Sequence, residues 1–233
     1  MLFSYLTLHL ANHSLGLVSL EAAEWGLTWT LGLWHSGPGS ALLYGAALVH
    51  VALALEAIYT RSTLRIASLD GLRVVLGLGI PTLLIAHAVG TRLAWELYAQ
   101  SSQYTRVVWS LWSAQDQGRQ LALLAPGWMH GCLGIHLAFS SRDWYRRVRW
   151  ALFAAALLLP LLGGLGFLEM GRQLASNAAA RAQLDARLVL PHGGAAVLGV
   201  VLDSLLAFYL VSIAAAFAAR GVRLAFERRL LQG

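Results

Sequence analysis

The 233 residues are 58% hydrophobic and only 12% charged, with a mean hydropathy of +0.63. A soluble domain carries about 25% charged residues, and a globule of this length cannot hide so much apolar surface, so lipid is the solvent for most of the chain. The net charge of +6 does not point to nucleic acid: all 17 basic residues are Arg, set in short clusters between apolar runs, which is the footprint of membrane topology.

A helix rises about 1.5 Å per residue, so a bilayer core of about 30 Å needs about 20 apolar residues. Such runs are found at 2–19, 40–60, 74–98, 119–140, 148–170 and 195–219. They predict an all-α, polytopic single membrane domain over 1–233, with six transmembrane helices. The first run could pass for a signal peptide, but it has no basic start and its interior holds His9, Asn12 and His13, so it reads as a retained helix. Gly37-Pro38-Gly39 breaks the chain before the second run.

The links after the second and fourth runs, and the tail after the sixth, hold 11 of the 17 Arg, from Arg61 to Arg229. The three longer links hold the other 6, together with Trp25, Trp29, Trp34, Trp109 and Trp112. By the positive-inside rule both termini face the cytoplasm, and the Trp-rich links are amphipathic elements lying in the outer interface. The tail RGVRLAFERRLLQG continues the sixth helix with its apolar residues on one side and reads as a connection to a further domain. The lone Cys132 lies in an apolar run and leaves no disulfide framework, CxxC pair or CxxCH attachment site.

Eight His mark the chain. His35 and His192 fall in the outer links; His9, His13, His50, His87, His130 and His136 fall within the first four runs, and the last two runs have none. An ionisable group inside a bilayer is costly and normally faces a bundle interior with a partner. One such His is accounted for by a hydrogen bond to a neighbouring carbonyl. Six on four helices, with no carboxylate at matching depth for a zinc site, suit bis-histidine haem b instead: imidazoles from separate helices, apolar walls, and glycines such as Gly16, Gly45, Gly90, Gly131 and Gly134 close by.

His13 and His87 both count out at roughly 10 Å from the outer surface. In an up-down bundle the first and third helices are diagonal, as are the second and fourth. His13 with His87 is therefore the expected outer haem pair and His50 with His136 the inner one, with His9 and His130 as alternates or hydrogen-bond partners. The expected architecture is a four-helix haem-binding bundle plus two further helices. Arg92 lies where outer propionates would emerge, or snorkels to the interface. Asp203, within the sixth run, is a candidate for a proton, quinone or helix-packing contact, and Glu169 is interfacial.

The runs LTLHLANHSLGLVSLEA, LLYGAALVHVALAL, IPTLLIAHAVGTR and GWMHGCLGIHLAF resemble the hexahelical cytochrome b-type membrane anchors of bacterial class III adenylyl cyclases, over nearly the whole chain. Those anchors are similar in turn to the dihaem cytochrome b subunits of succinate dehydrogenases and fumarate reductases. The resemblance implies two haem b groups, a bacterial inner-membrane location, and a receptor-like role. In that role the anchor would sense quinone or redox state and signal through the sixth helix to a cytoplasmic cyclase, with or without a ferredoxin-like domain, in a homodimer. These 233 residues contain no cyclase or ferredoxin-like sequence. A respiratory cytochrome b subunit and a cofactor-free membrane protein are the competing expectations; a dithionite-reduced spectrum separates the last from the others.

Overall fold

The computed structural model describes residues 1–65, 67–113 and 116–232. Among them there are helices and short links and no strand. Nine helices are distinguished: α1 (Leu2–Ser14), α2 (Leu20–Trp34), α3 (Gly37–Thr60), α4 (Ser68–Tyr98, with a π-helical turn at Val89–Leu93), α5 (Tyr104–Ser113), α6 (Gln117–Phe139), α7 (Asp143–Ser176), α8 (Ala178–Leu188) and α9 (Gly194–Leu230). Five of them, α3, α4, α6, α7 and α9, are long and apolar enough to cross a membrane.

The first apolar run, expected as a full span over 2–19, forms only the 13 residues of α1 followed by a 3-10 turn at Leu15–Leu17. Thirteen helical residues reach about 20 Å, short of the bilayer core. The chain then turns because Ser19, in extended backbone, caps α2 by accepting the Ala22 N–H at 3.0 Å.

The closest helix pairs are α4 with α6 and α1 with α7, followed by α3 with α9. Further contacts of α6 with α7, α9 with α4, and α1 with α3 close these six helices into a ring. Each long helix keeps much of its apolar surface exposed, as expected where lipid is the solvent. The buried core lies at one end instead. There α2, α5 and α8 fold over the end of α7 and enclose Ala23, Tyr104, Val108, Trp109, Phe167, Met170 and Leu184. Trp109 Nε1 donates to Asp185 at 2.8 Å and fastens α5 to α8. The Trp-rich links are therefore a helical cap. Not all their Trp lie in it alike: Trp109 is buried, while Trp25 and Trp29 are exposed.

Two devices fix the ring. Along α7, Gly163 and Gly166 let the backbone of α1 lie directly against the helix, with Leu10 and His13 over them. At the far end, Arg220 and Arg223 of α9 donate to the carbonyls of Tyr59, Thr60, Arg61 and Ser62. These are orphan carbonyls at the C-terminus of α3, where a cation also suits the helix dipole.

Candidate functional site

Helices α4 and α6 run antiparallel, and their contacts define two levels. At the level nearer the cap, His87 Nδ1 is 2.7 Å from Gln120 Oε1. At the level farther from it, His130 Nδ1 is 2.9 Å from the Arg73 carbonyl oxygen. Ten residues separate the levels on either helix, Gly77 to His87 or Gln120 to His130, or about 15 Å of rise. Pro81 and Pro126 fall between them.

The cap-side level gathers His9 and His13 of α1 with His87. The His9 ring lies 4.8 Å from His13 and 6.0 Å from His87, centroid to centroid, both edge-on. Phe167 of α7 stands edge-on to His13 at 6.0 Å. The His13 Nδ1 is 2.9 Å from the Tyr104 hydroxyl of α5. Burial, helped by the nearby Glu24 carboxylate, pushes the Tyr104 pKa up, so the hydroxyl keeps its proton at neutral pH.

The far level pairs His50 of α3 with His130 of α6, their rings 5.8 Å apart and edge-on. Gly77 makes this possible, because a Cβ there would come within 2.6 Å of His130 Cε1. The structure thus brings His130, not the expected His136, to His50. His136 lies six residues on, about 120° around the helix and about 9 Å further along. It is exposed and its Nδ1 is 3.0 Å from the Tyr145 hydroxyl.

Hydrogen bonding assigns tautomers. A carbonyl only accepts, so Nδ1 of His130, and likewise of His87 against the Gln120 amide oxygen, carries the proton. That leaves the lone pair of the neutral ring on Nε2, the arrangement that metal-ligating histidines adopt. Among the described residues no group of three His, Cys, Asp or Glu is spaced to hold a bare metal ion. Imidazoles that meet in pairs suit instead a metal whose remaining positions are filled by a macrocycle.

Arg92 lies in the π turn, forms an ion pair with Glu96, and stacks over Trp95 at 4.9 Å. Its Nε is buried and has no hydrogen-bond partner among the described residues. His35 joins the same cluster, 4.7 Å from Trp95. Of the glycines near the histidines, Gly16 packs on Met170 and Gly131 on Phe3, whereas Gly45, Gly90 and Gly134 face open space.

Sequence reading missed Tyr104, Gln120, Gly77 and Glu24. Gly77 carried a faint signal, standing ten residues before His87 on the same helix. Glu24 had none, because its partners lie 80 residues away. Its carboxylate accepts from Tyr104 N and Thr105 N, both at 2.8 Å, and from Thr105 Oγ1 at 2.6 Å, capping α5 from α2. Glu24→Ala is expected to lower stability by about 2 kcal/mol by stripping two backbone donors of their acceptor. Glu24→Gln should cost about half as much. A thermal melt of purified variants in detergent checks the order, and a Gln variant as damaged as the Ala variant would contradict it.

No protein-family model, curated protein or solved structure matches this chain.

Proposed function

We propose that the chain is a membrane anchor and sensor that holds two haem b groups and couples redox or quinone state to a cytoplasmic output. The observation that carries this reading is the pairing of histidines at two levels, with His87 and His130 each presenting a basic Nε2. Haem b bound there would supply reversible one-electron chemistry. The cap-side group would be held by His87 with His9 or His13, and the far group by His50 with His130. The chain's own residues orient these imidazoles through Gln120, Tyr104 and the Arg73 carbonyl, and α1 and α7 enclose the cap-side level in apolar surface. The buried Arg92 Nε is the donor available to an anionic edge of a cap-side group.

On this reading α1 serves as a sixth, shortened span. The Arg-rich links and tail face the cytoplasm, the cap faces outward, and the chain resides in a bacterial inner membrane. The last span, α9, carries no histidine and is the lever toward a cytoplasmic cyclase or ferredoxin-like partner. A signal requires that a redox change or a quinone favour one of two packings of α9, because a ligand indifferent to both shifts nothing. A second reading, a respiratory cytochrome b subunit, uses the same histidine pairs and differs only in passing electrons to a soluble flavoprotein.

The deciding experiment is an oxidised and dithionite-reduced absorption spectrum of the purified protein, with haem counted as the pyridine haemochrome. Two non-covalent haems per chain are expected. A colourless protein after expression with ample haem would overturn both readings and leave a membrane protein whose histidines serve packing alone.

A further inference from the structure

Helix α9 turns one face to its own bundle. Tyr209 donates to the Leu78 carbonyl at 2.6 Å, and Arg220 and Arg223 reach the end of α3. Among the described residues nothing packs on the opposite face, which is exposed. Val200, Ser204, Ala207, Val211, Ala214 and Ala218 recur on it at alternating steps of four and three, and all are exposed. That spacing is the seam of a coiled coil, here built of residues small enough for close backbone approach.

Lipid is a poor occupant of this face for two reasons. Asp203, beside Ser204, is an exposed carboxylic acid within an apolar span. Among the described residues it has no hydrogen-bond or ion-pair partner, and such a group in hydrocarbon is costly unless another polar group meets it. Moreover, the 37 residues of α9 extend about 55 Å, well beyond a core of about 30 Å. The same face continues into that projection with Val222 at 72% and Phe226 at 63% exposure.

We propose that this face is a homodimer interface, with a second copy of α9 as its occupant. Copies inserted in one orientation and related by a two-fold axis along the membrane normal bring identical α9 faces together in parallel. The seam then meets itself, and Asp203 comes within reach of the Ser204 hydroxyl of a second copy. Five large side chains flanking or forming the seam, Val200, Phe208, Val211, Val222 and Phe226, are each 63–73% exposed. They offer roughly 600 Å² per copy, and the alanines bring the face near the about 800 Å² per partner of a stable interface. The inference rests on the chain spanning the membrane and not on its cofactor.

The test is disulfide trapping in liposomes of purified protein at high dilution in lipid. The lone Cys132 is first replaced by Ser, and single cysteines are placed at the seam (Val211→Cys, Ala218→Cys) and on the bundle-facing side (Ile213→Cys). Oxidation should trap most of the seam variants as dimers and little of the Ile213 variant. Asp203→Ala should cut the seam yield several-fold, and Asp203→Asn, which keeps the polar contact, should not. Absence of seam dimers, or equal trapping at Ile213, would overturn the interface; an Asp203→Ala yield equal to the parent would overturn the part assigned to Asp203. Haem measured on the same samples keeps the two readings apart, since seam dimers in a colourless protein refute the cofactor alone.

Discussion

On the two-haem reading proposed above, His130→Ala is expected to halve the haem content, from two per chain to one, while His136→Ala leaves both. The two residues share a helix and differ by six positions, yet only His130 meets the His50 ring, at 5.8 Å. His136 is engaged with Tyr145 at the exposed end of α6. On that reading, removing His130 would leave the far group held by His50 alone, with a cavity where the second imidazole stood. Gly77→Ala should reproduce the loss from the neighbouring helix. Its new Cβ falls within 2.6 Å of His130 Cε1, and that ring cannot swing aside without abandoning the Arg73 carbonyl at 2.9 Å. Pyridine haemochrome per mole of protein, with reduced-minus-oxidised spectra of the three variants, gives the comparison. Full haem in the His130 variant with loss in the His136 variant would return the far pair to His50 and His136.

Gly166→Val should be strongly damaging to the bundle. A Cβ at Gly166 would run into the carbonyl oxygen of His13 and close on the Ser14 Cα. Both are backbone of α1, so no side chain can rotate to relieve the overlap; one helix must move. Overpacking of this kind costs about 1–3 kcal/mol, which for a chain of this size lowers the thermal midpoint by about 2–12 °C. It should also disturb the cap-side level selectively, because the displaced α1 carries His9 and His13. The neighbouring Gly164 is the control. A Cβ there meets only the tips of side chains, Leu121 Cδ2 at an ordinary 3.5 Å and Leu124 Cδ1 at 4.0 Å, so Gly164→Ala should melt within a degree or two of the parent. Equal behaviour of the two variants would mean that α1 does not lie on α7 as described.

The membrane class, the all-helical build and five of the six expected spans were legible in the sequence, because each is a property of a contiguous segment. Hydropathy over about 20 residues reports a span without reference to any neighbour. The six histidines of the first four apolar runs were equally visible, since a polar side chain in an apolar run is conspicuous wherever it ends up. Which histidine meets which depends on helix rotation, and rotation is set by neighbours. The diagonal placing of the second and fourth helices paired His50 with His136, but the glycine at position 77 and the Arg73 carbonyl on α4 are what draw His130 inward.

The length of α1 likewise escaped composition. The apolar run continues to Val18, yet the helix gives way at Ser14 to a 3-10 turn, and Ser19 starts α2. Most of all, the site's supports are tertiary facts. Tyr104 reaches His13 across 91 positions and Glu24 holds α5 across 80, separations at which one sequence carries no local trace of the contact. The sequence by itself determined the solvent, the elements and the chemistry available; packing of α1 on α7 and of α6 on α4 decided which of those groups stand together, because only side-chain volume at the helix crossings fixes how each helix is turned.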